Sequence, residues 1–324
     1  MCTAISFTKN NEFLFGRTMD WFHSYGEGII ITPRNHQIKF KNAKNLNEHY
    51  AIIGMGIVCD DYPLYFDALN EKGLCVAALN FKDNAFYNNN SDNLENIASY
   101  ELVLYILGHC DSTKKAAEML KNLNITNDDF NADFSASPLH WIISDKRSSI
   151  TVESVKEGLK IYNNTIGVLT NNPPFSFHLE NIRQYMSLSN EQPKNYFSSN
   201  IVLTPNSYGF GAIGLPGDMS SVSRFIRAAF IKENALCFEQ KDININQFFH
   251  ILSSVSQIKG ITKNKDEYEY TIYSSCCDCE KGVYYYKTYD SNKIYAVSLQ
   301  NEDLSGTKLI CYVKNQSPEF EFLN

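Results

Sequence analysis

Strand-like segments occur in groups along this chain, and helix-like segments separate the groups. Alternating or short apolar runs lie at residues 29–32, 51–57, 74–79, 139–144, 150–155, 168–170, 268–275, 283–289 and 293–299. Helical periodicity is present at residues 97–107, 116–123, 177–188, 221–235 and 245–255. Because each sheet must bury a face against another element, this order predicts two sheets covered by helices.

The length and composition of the chain favour one compact body. It has 324 residues, of which 44% are hydrophobic, and this is ample material for a core. No stretch rich in proline, glycine or serine marks a linker, so we expect a single domain over residues 2–324, with Met1 removed. Every apolar run is shorter than the roughly 20 residues that a membrane-spanning helix needs.

The N-terminus and the net charge predict the compartment and exclude some partners. No basic segment followed by an apolar one is present, so we expect no signal peptide and a cytoplasmic protein. The nine cysteines are then expected to stay reduced, and their odd number argues against a full disulfide framework. A formal net charge of -7 disfavours nucleic acid, which needs a concentrated basic face. Neither a nucleic acid nor a membrane is expected as a partner.

The first twenty residues predict a β-hairpin. Apolar and polar residues alternate over 3–7 and 12–15, and a Lys-Asn-Asn turn signal lies between them at 9–11. A hairpin returns the end of its second strand to the start of its first. Arg17 and Asp20 are therefore expected close to the start of the chain.

Cys2 is the first residue of this predicted hairpin. Removal of Met1, expected when residue 2 is small, would leave a thiol and a free α-amine on one residue. Such amines titrate near ~7.7–8.0 and thiols near ~8.5, and an N-terminal amine can activate its own side chain as a nucleophile. Arg17 would stabilise the thiolate and Asp20 would hold the amine. The alternative for Cys2 is an ordinary buried cysteine of a strand. The alternative for Arg17 and Asp20 is an ordinary surface ion pair.

Two further patterns resemble ligand sites. Residues 209–214 match the dinucleotide fingerprint G-x-G-x-x-G, but Pro216 and Gly217 delay the next predicted helix to about residue 220. We therefore expect no cofactor. The cluster C-C-D-C at 276–279 has ligand-type residues without a second pair at zinc-like spacing. We interpret these cysteines as buried thiols and expect no metal.

Longer motifs follow one another along nearly the whole chain. They are C-T-A-I-S-F (2–7), G-R-T-M-D (16–20), I-T-P-R-N (31–35), D-Y-P-L-Y (61–65), N-E-K-G-L (70–74), L-N-F (79–81), P-L-H-W (138–141), G-V-L-T-N-N-P (167–173), G-L-P-G-D (214–218), S-R-F (223–225) and Y-T-I-Y-S-S-C-C (270–277). Together they resemble the choloylglycine hydrolase family, specifically conjugated bile salt hydrolases. The resemblance implies an α+β fold, the four-layer αββα sandwich of N-terminal nucleophile hydrolases, and a homotetramer.

The resemblance also assigns further catalytic positions. Asn171 and Asn80 each end a predicted strand and, from the residues alone, are typical turn-capping asparagines. Their family counterparts form an oxyanion hole, Asn171 through its side-chain amide and Asn80 through its backbone N–H. Arg224 lies in the first turns of a predicted helix, where a cation opposes the helix dipole, and its counterpart lies beside the nucleophile. Arg227, one turn on, is expected to be a packing or surface residue.

The implied reaction is hydrolysis of the amide that joins a steroid acid to glycine or taurine. The Cys2 sulfur attacks, the α-amine takes the thiol proton, and water hydrolyses the resulting thioester without cofactor or metal. Because substrate and protein are both anionic, local cations such as Arg17 and Arg224 are expected to matter.

The sequence is also compatible with two other functions. Penicillin V acylase uses the same nucleophile, but acylase members of the family tend to carry an aromatic residue in place of Asn80. A non-catalytic steroid-binding module is the alternative from another class, although a binder has no use for a thiol at its N-terminus.

An apolar substrate pocket is implied as well. Its candidate residues are Met19, Trp21, Phe22, Cys59, Tyr65, Phe66, Phe130, Phe134 and Leu139, each of which alone is typical of ordinary core. The bulk of Trp21, Phe22 and His23 departs from many family hydrolases and is expected to narrow the pocket mouth. The asparagine-rich segment 83–96 is predicted to be a loop, either bordering the cleft or forming a plain surface excursion. Loop 207–211 is expected to contribute to the choice between glycine and taurine.

Overall fold

The computed structural model describes residues 1–324, and its elements largely follow the predicted order. The strands are β1 (Cys2–Lys9), β2 (Glu12–Trp21), β3 (Gly28–Thr32), β4 (Ile52–Cys59), β5 (Tyr62–Asn70), β6 (Cys75–Asn80), β7 (Glu95–Ala98), β8 (Leu123–Thr126), β9 (Leu139–Ser144), β10 (Ser149–Val155), β11 (Gly158–Asn163), β12 (Val168–Leu169), β13 (Thr262–Asn264), β14 (Glu267–Asp278), β15 (Val283–Thr288), β16 (Tyr295–Ser298) and β17 (Ile310–Val313). The helices are α1 (Leu102–His109), α2 (Thr113–Leu120), α3 (Phe175–Asn181), α4 (Ser221–Asn234) and α5 (Lys241–Ser253). None of them is long and apolar enough to cross a membrane.

Most of the strands belong to two large sheets. Sheet I has the order β12-β1-β2-β14-β15-β16, with β13 also paired to β14, and sheet II has the order β11-β10-β9-β6-β5-β4-β3-β17. Pairing within both sheets is antiparallel throughout. A separate two-stranded sheet joins β7 and β8.

Strand alternation divides the buried residues into two cores. On β3, Ile29 and Ile31 belong to the core between the sheets, whereas Ile30 belongs to the core under α1 and α2. On the far side of sheet I, α4 contacts β1, and α5 contacts β2 and β14. The order of layers is therefore helices, sheet, sheet, helices. This αββα sandwich confirms the fold class expected from the sequence.

The predicted hairpin is confirmed and is longer than expected. Cys2 pairs with Met19 at its open end, and Lys9 pairs with Glu12 beside the turn. The turn residues 10 and 11 both have positive φ angles, of 49° and 66°, as a two-residue hairpin turn requires.

Several other predictions of secondary structure need correction. Strands β5, β7, β8, β11, β13 and β17 were not predicted from the sequence. Strand β5 is buried on both faces, so it carries no alternation from which it could be recognised. The expected helix at 97–107 begins only at Leu102, because residues 97 and 98 pair with β8. The Glu101 carboxylate accepts from the backbone N–H of Ala98 at 3.0 Å and holds this strand-to-helix turn.

We predict that Gly16 is required for the close approach of β14 to β2. A Cβ atom at this position would lie 2.0 Å from the carbonyl oxygen of Ser275, which is backbone and has little freedom to move. Gly16→Ala should therefore lower the free energy of unfolding by roughly 3 kcal/mol, measured by urea denaturation. Gly217→Ala is the matched control, since its Cβ meets nothing within 4 Å. Equal unfolding midpoints for the two variants would contradict this account.

His178 on α3 is buried against α4. Its ring stacks on Phe225 with 4.5 Å between ring centroids, and its Nε2 lies 3.3 Å from the carbonyl oxygen of Asn171. Burial lowers the pKa of His178 to about 4. The folded protein therefore holds this ring neutral over a pH range in which an unfolded histidine is already protonated.

We predict a loss of stability on mild acidification that depends on His178. An unfolded histidine titrates near ~6.5, so the unfolded chain takes up this proton before the folded chain does. Stability should fall from about pH 6.5 towards pH 4, by up to roughly 3 kcal/mol from this residue. The free energy of unfolding in urea should depend less on pH in His178→Phe, which keeps the stacked ring. Identical pH dependence in the two proteins would refute the prediction.

Candidate active site

The thiol of Cys2 lies at the start of β1, between the two sheets. The residue is 3% exposed, and its Sγ is 4.0 Å from the Sδ of Met19, its partner on β2. The side chain also forms part of the wall of a cavity. The first strand therefore presents its first side chain to an internal space.

Arg17 reaches from β2 into sheet II. Its Nη1 donates to the carbonyl oxygens of Phe66 on β5 at 3.1 Å and Ala78 on β6 at 2.5 Å. These two strands pair only over residues 67–69 and 75–77. The guanidinium therefore satisfies carbonyl groups that the diverging strands leave without ladder partners.

The charge of Arg17 is fixed by its surroundings. Burial alone lowers the pKa of the guanidinium, but the negative charges that Cys2, Tyr273, Asp67 and Asp20 carry in their ionised forms outweigh burial and raise this pKa above its usual value. Arg17 is fully buried and belongs to the same cavity wall as Cys2. A permanent positive charge therefore stands near the thiol, as the hairpin predicted.

Asn171 and Arg224 hold the backbone of Cys2. The Cys2 N–H donates to Asn171 Oδ1 at 2.7 Å, and Arg224 Nη2 donates to the same oxygen at 2.9 Å. Arg224 Nη1 donates to the carbonyl oxygen of Cys2 at 2.6 Å and to Thr3 Oγ1 at 2.5 Å. Because two donors meet Oδ1, the amide of Asn171 must point its Nδ2 away, and this atom donates to the carbonyl oxygen of Asn80 at 2.8 Å.

The first turn of α4 positions both side chains. Ser221, the first residue of the helix, accepts at Oγ from the Asn171 N–H at 2.8 Å. Arg224 is fully buried. Burial lowers the pKa of its guanidinium below the usual value, and the charge of Asp20 opposes this effect only in part. Arg227 does not reach Cys2, and it donates instead to the carbonyl oxygens of Pro216, Asp218 and Ser254. It is a packing residue, as the sequence indicated.

The carboxylate of Asp20 lies on the helix-facing side of β2. Its Oδ1 accepts from Thr271 Oγ1 at 2.6 Å, and its Oδ2 accepts from Thr18 Oγ1 at 3.2 Å. The Oδ2 atom is also 3.9 Å from Arg224 Nη1. Asp20 is therefore part of the polar network behind Cys2, and the two threonines belong to that network without having been predicted.

Met1 extends β1 by one residue, opposite Asp20. The Asp20 N–H donates to the Met1 carbonyl oxygen at 3.0 Å, and the Met1 amine donates to the Asp20 carbonyl oxygen at 2.8 Å. The same amine forms an ion pair with the carboxylate of Glu269 on β14. Burial lowers the pKa of this amine below its usual value, and the opposing effect of Cys2 and Asp20 in their ionised forms does not offset it. Glu269 was not among the residues predicted from the sequence.

Asn80 ends β6 within the cavity wall. The next residue, Phe81, donates its N–H to Pro138 beside β9 at 2.8 Å. Since successive residues of a strand direct their backbone groups to opposite edges, the Asn80 N–H faces the gap between β5 and β6. The side chain of Asn172 has a different partner: its Nδ2 donates to the carbonyl oxygen of Lys82 at 2.5 Å.

A cavity of about 410 Å³ opens beside Cys2, within the range of small-molecule sites. Its wall includes seven of the nine predicted pocket residues, namely Met19, Trp21, Tyr65, Phe66, Phe130, Phe134 and Leu139. The wall residues that the sequence analysis missed are Tyr25, Ile57, Leu64, Ala78, Ser99, Tyr100, Val103, Asp133, Ser135, Ser137 and Pro138. Leu64 lies two residues before Phe66 on β5, so recognition of that strand would have revealed it.

Two predicted pocket residues lie outside this wall. Phe22 follows the end of β2 and packs edge-to-face against Trp21, with 5.1 Å between ring centroids. Cys59 ends β4 two residues beyond Ile57, and its sulfur is contacted instead by Asn131 Nδ2 at 3.6 Å. The segment 83–96 contributes no residue to the cavity wall and is a surface excursion that leads into β7. Loop 207–211 also lies outside the wall.

The patterns that resemble ligand sites form different structures. A 3₁₀ turn occupies Phe210–Ala212, and α4 begins only at residue 221, so residues 209–214 do not form the strand–turn–helix unit of a dinucleotide site. All nine cysteines are free, and Cys75 and Cys279 approach with 3.1 Å between sulfur atoms. No group of three or more His, Cys, Asp or Glu side chains is arranged to hold a metal ion.

The sequence is similar to known amide hydrolases over its full length. Residues 2–312 match the family model described as linear amide C–N hydrolases, choloylglycine hydrolase family. The bile salt hydrolase/transferase of Lactiplantibacillus plantarum is 48% identical, with 100% of both chains covered. The protein with the same description from Clostridium perfringens is 39% identical, again with 100% of both covered.

Structural similarity is equally extensive. The crystal structure of the C2A mutant of conjugated bile acid hydrolase from Clostridium perfringens matches with a TM-score of 0.93 at 38% identity, covering 100% of both chains. Penicillin V acylase from Agrobacterium tumefaciens matches with a TM-score of 0.73 at 19% identity, covering 94% of this chain and 88% of that one, which shows the shared fold alone. The fold is that of the N-terminal nucleophile hydrolases, and the chain belongs to the choloylglycine hydrolase family, whose members are enzymes that hydrolyse linear amide C–N bonds.

Proposed function

We propose that this enzyme hydrolyses the amide bond of glycine- or taurine-conjugated bile salts, with Cys2 as the nucleophile. One observation carries the proposal: a thiol on the first strand lies in the wall of a cavity in which 14 of 21 residues are hydrophobic. Such a wall suits a steroid nucleus, and Arg17 and Asn80 add polar groups beside the thiol. The relatives named for bile salts support the same substrate class.

In the proposed mechanism the mature chain begins at Cys2. The α-amine, held by Asn171 Oδ1, accepts the thiol proton while the sulfur attacks the carbonyl carbon of the amide. The ammonium then gives its proton to the amide nitrogen, the C–N bond breaks, and glycine or taurine leaves. Water loses a proton to the same amine and attacks the thioester, the C–S bond breaks and the bile acid leaves, and the ammonium returns its proton to the Cys2 sulfur.

Two donors support the oxyanion in this mechanism. The Asn171 Nδ2 carries two hydrogens, and only one of them is used by the Asn80 carbonyl oxygen. The second donor is the Asn80 N–H, which faces the gap between β5 and β6. Preorganised donors of this kind stabilise the charge that develops on the carbonyl oxygen. Arg17 adds a fixed positive charge that favours the thiolate.

The direct test uses the purified protein with taurine- and glycine-conjugated bile salts and with penicillin V. Ninhydrin detection should show release of the amino acid from at least one conjugate. Faster cleavage of penicillin V would identify the acylase instead. Saturable quenching of tryptophan fluorescence by bile salts without any product would identify a binding module.

We also propose that the enzyme is a cytoplasmic homotetramer, as the family resemblance implies. Segment 186–213 supports self-association, because it exposes a series of large apolar side chains: Met186, Tyr196, Phe197, Val202, Tyr208 and Ile213. Exposed apolar surface of this extent is typical of contact sites.

We predict that Cys2→Ala abolishes hydrolysis and leaves the circular dichroism spectrum unchanged. Cys2→Ser should be severely impaired, because a hydroxyl ionises far less readily than a thiol. Iodoacetamide should modify Cys2 before the other eight thiols, and intact-mass analysis should show a chain that lacks Met1. Cys59→Ala is the matched control, since that thiol is half-buried and lies outside the cavity wall. Full activity of Cys2→Ala, or active enzyme that retains Met1, would exclude the mechanism.

We predict unequal effects at the three asparagines. Asn171→Ala should lower kcat by roughly 100-fold or more, the scale of one lost oxyanion donor. Asn80→Ala keeps its backbone N–H and should raise KM more than it lowers kcat. Asn172→Ala, the neighbouring control, should do much less, because its side chain bonds only to Lys82. A larger loss at Asn172 in steady-state kinetics would show that the assignment is off by one residue.

A further inference from the structure

Glu269 is a buried carboxylate beside the start of the chain that the mechanism above leaves without a role. It lies on β14, is 3% exposed, and forms its ion pair with the Met1 amine. Two residues further along the same strand, Thr271 donates to the carboxylate of Asp20. Glu269 therefore belongs to the same face of sheet I as the network behind Cys2.

The N-terminal amine is the only cation in contact with Glu269. The charged and titratable groups that act on this amine are Cys2 from β1, Arg17 and Asp20 from β2, Arg224 from α4 and Glu269 from β14. Arg224 is engaged by Asn171 and by the Cys2 carbonyl oxygen, and its nearest carboxylate is that of Asp20. It forms no ion pair with Glu269.

Removal of Met1 changes the partners of these groups. Glu269, the Asp20 carbonyl and the Asp20 N–H all lose the contacts that Met1 supplied. A buried carboxylate without a partner is strongly unfavourable. The cation that remains is the α-amine of Cys2, the next backbone nitrogen along β1, one of whose hydrogens is donated to Asn171 Oδ1 at 2.7 Å. The place that Met1 leaves is bordered by two acceptors, the Glu269 carboxylate and the Asp20 carbonyl oxygen, and by one donor, the Asp20 N–H. This set of partners suits a single buried water molecule.

We propose that Glu269 is a positioning residue of the mature enzyme, which holds the Cys2 α-ammonium through one water molecule in the place of the Met1 amine. The inference rests on the proposed function for the role of that ammonium. The carboxylate stabilises the charged form of the base after it has taken the thiol proton. A buried carboxylate stabilises the imidazolium of a histidine base in the same way.

The test is Glu269→Gln, which removes the charge and keeps the shape. The acid limb of the pH profile of kcat/KM should move to lower pH by about 1 unit, because a neighbouring negative charge favours the protonated amine. The kcat on the plateau should fall roughly 10-fold with KM within about twofold, since the ammonium keeps its contact with Asn171 but loses the charged group that acts on it through the water. Glu269→Asp should restore the position of the limb. Glu267→Gln is the matched control, an exposed position on the same strand, and should leave the profile unchanged.

A second measurement needs no substrate. The pH midpoint of iodoacetamide labelling of Cys2, followed by peptide mass spectrometry, should also move to lower pH in Glu269→Gln. An unchanged midpoint and an unchanged kcat/KM profile would overturn the proposal, and so would a wild-type chain that retains Met1. A shifted labelling midpoint in a protein that releases no amino acid from bile salts would support the role of Glu269 and refute the proposed function. If Glu269→Gln does not fold, a Glu269→Ala protein with the labelling midpoint and the kcat/KM profile of the wild type would overturn the proposal.

Discussion

The hydrogen bond from the Cys2 N–H to Asn171 Oδ1 is the interaction on which the site depends. The first residues of a chain usually fray unless they are tied into the structure. Here Asn171 binds the Cys2 backbone with one end of its amide and the Asn80 carbonyl oxygen with the other, so that it joins the start of β1 to sheet II. Arg224 fixes the orientation of that amide. The thiol, the proposed base and both candidate oxyanion donors thus share one support.

The cavity and the cation beside it arise from the same irregularity. Strands β5 and β6 separate beyond residues 67 and 77, and the opening exposes the carbonyl oxygens of Phe66 and Ala78. Arg17 satisfies both of them and forms part of the cavity wall. A regular ladder at this point would have closed the space and excluded the guanidinium. Sheet II therefore gives up a few backbone hydrogen bonds beside the cavity that we propose for the substrate.

Local pattern accounts for the part of this structure that could be predicted. The hairpin, its turn and the approach of Arg17 to Cys2 follow from alternation in the first twenty residues. Family motifs identified the asparagines and Arg224, which are far apart in sequence and meet only through tertiary packing. Glu269 escaped notice because its burial depends on β14 lying beside β2. Strand β5 escaped because burial on both faces removes the alternation on which recognition depends.

The enclosed position of Met1 has a practical consequence for anyone who produces this protein. Its amine is bound by the Asp20 carbonyl oxygen and the Glu269 carboxylate, and a fused peptide would convert that ammonium into an uncharged amide inside a polar recess. Residues 316–324, at the other end of the chain, are exposed. An affinity tag therefore belongs at the C-terminus, where it leaves the opening residues free to be processed and to fold into the sheet.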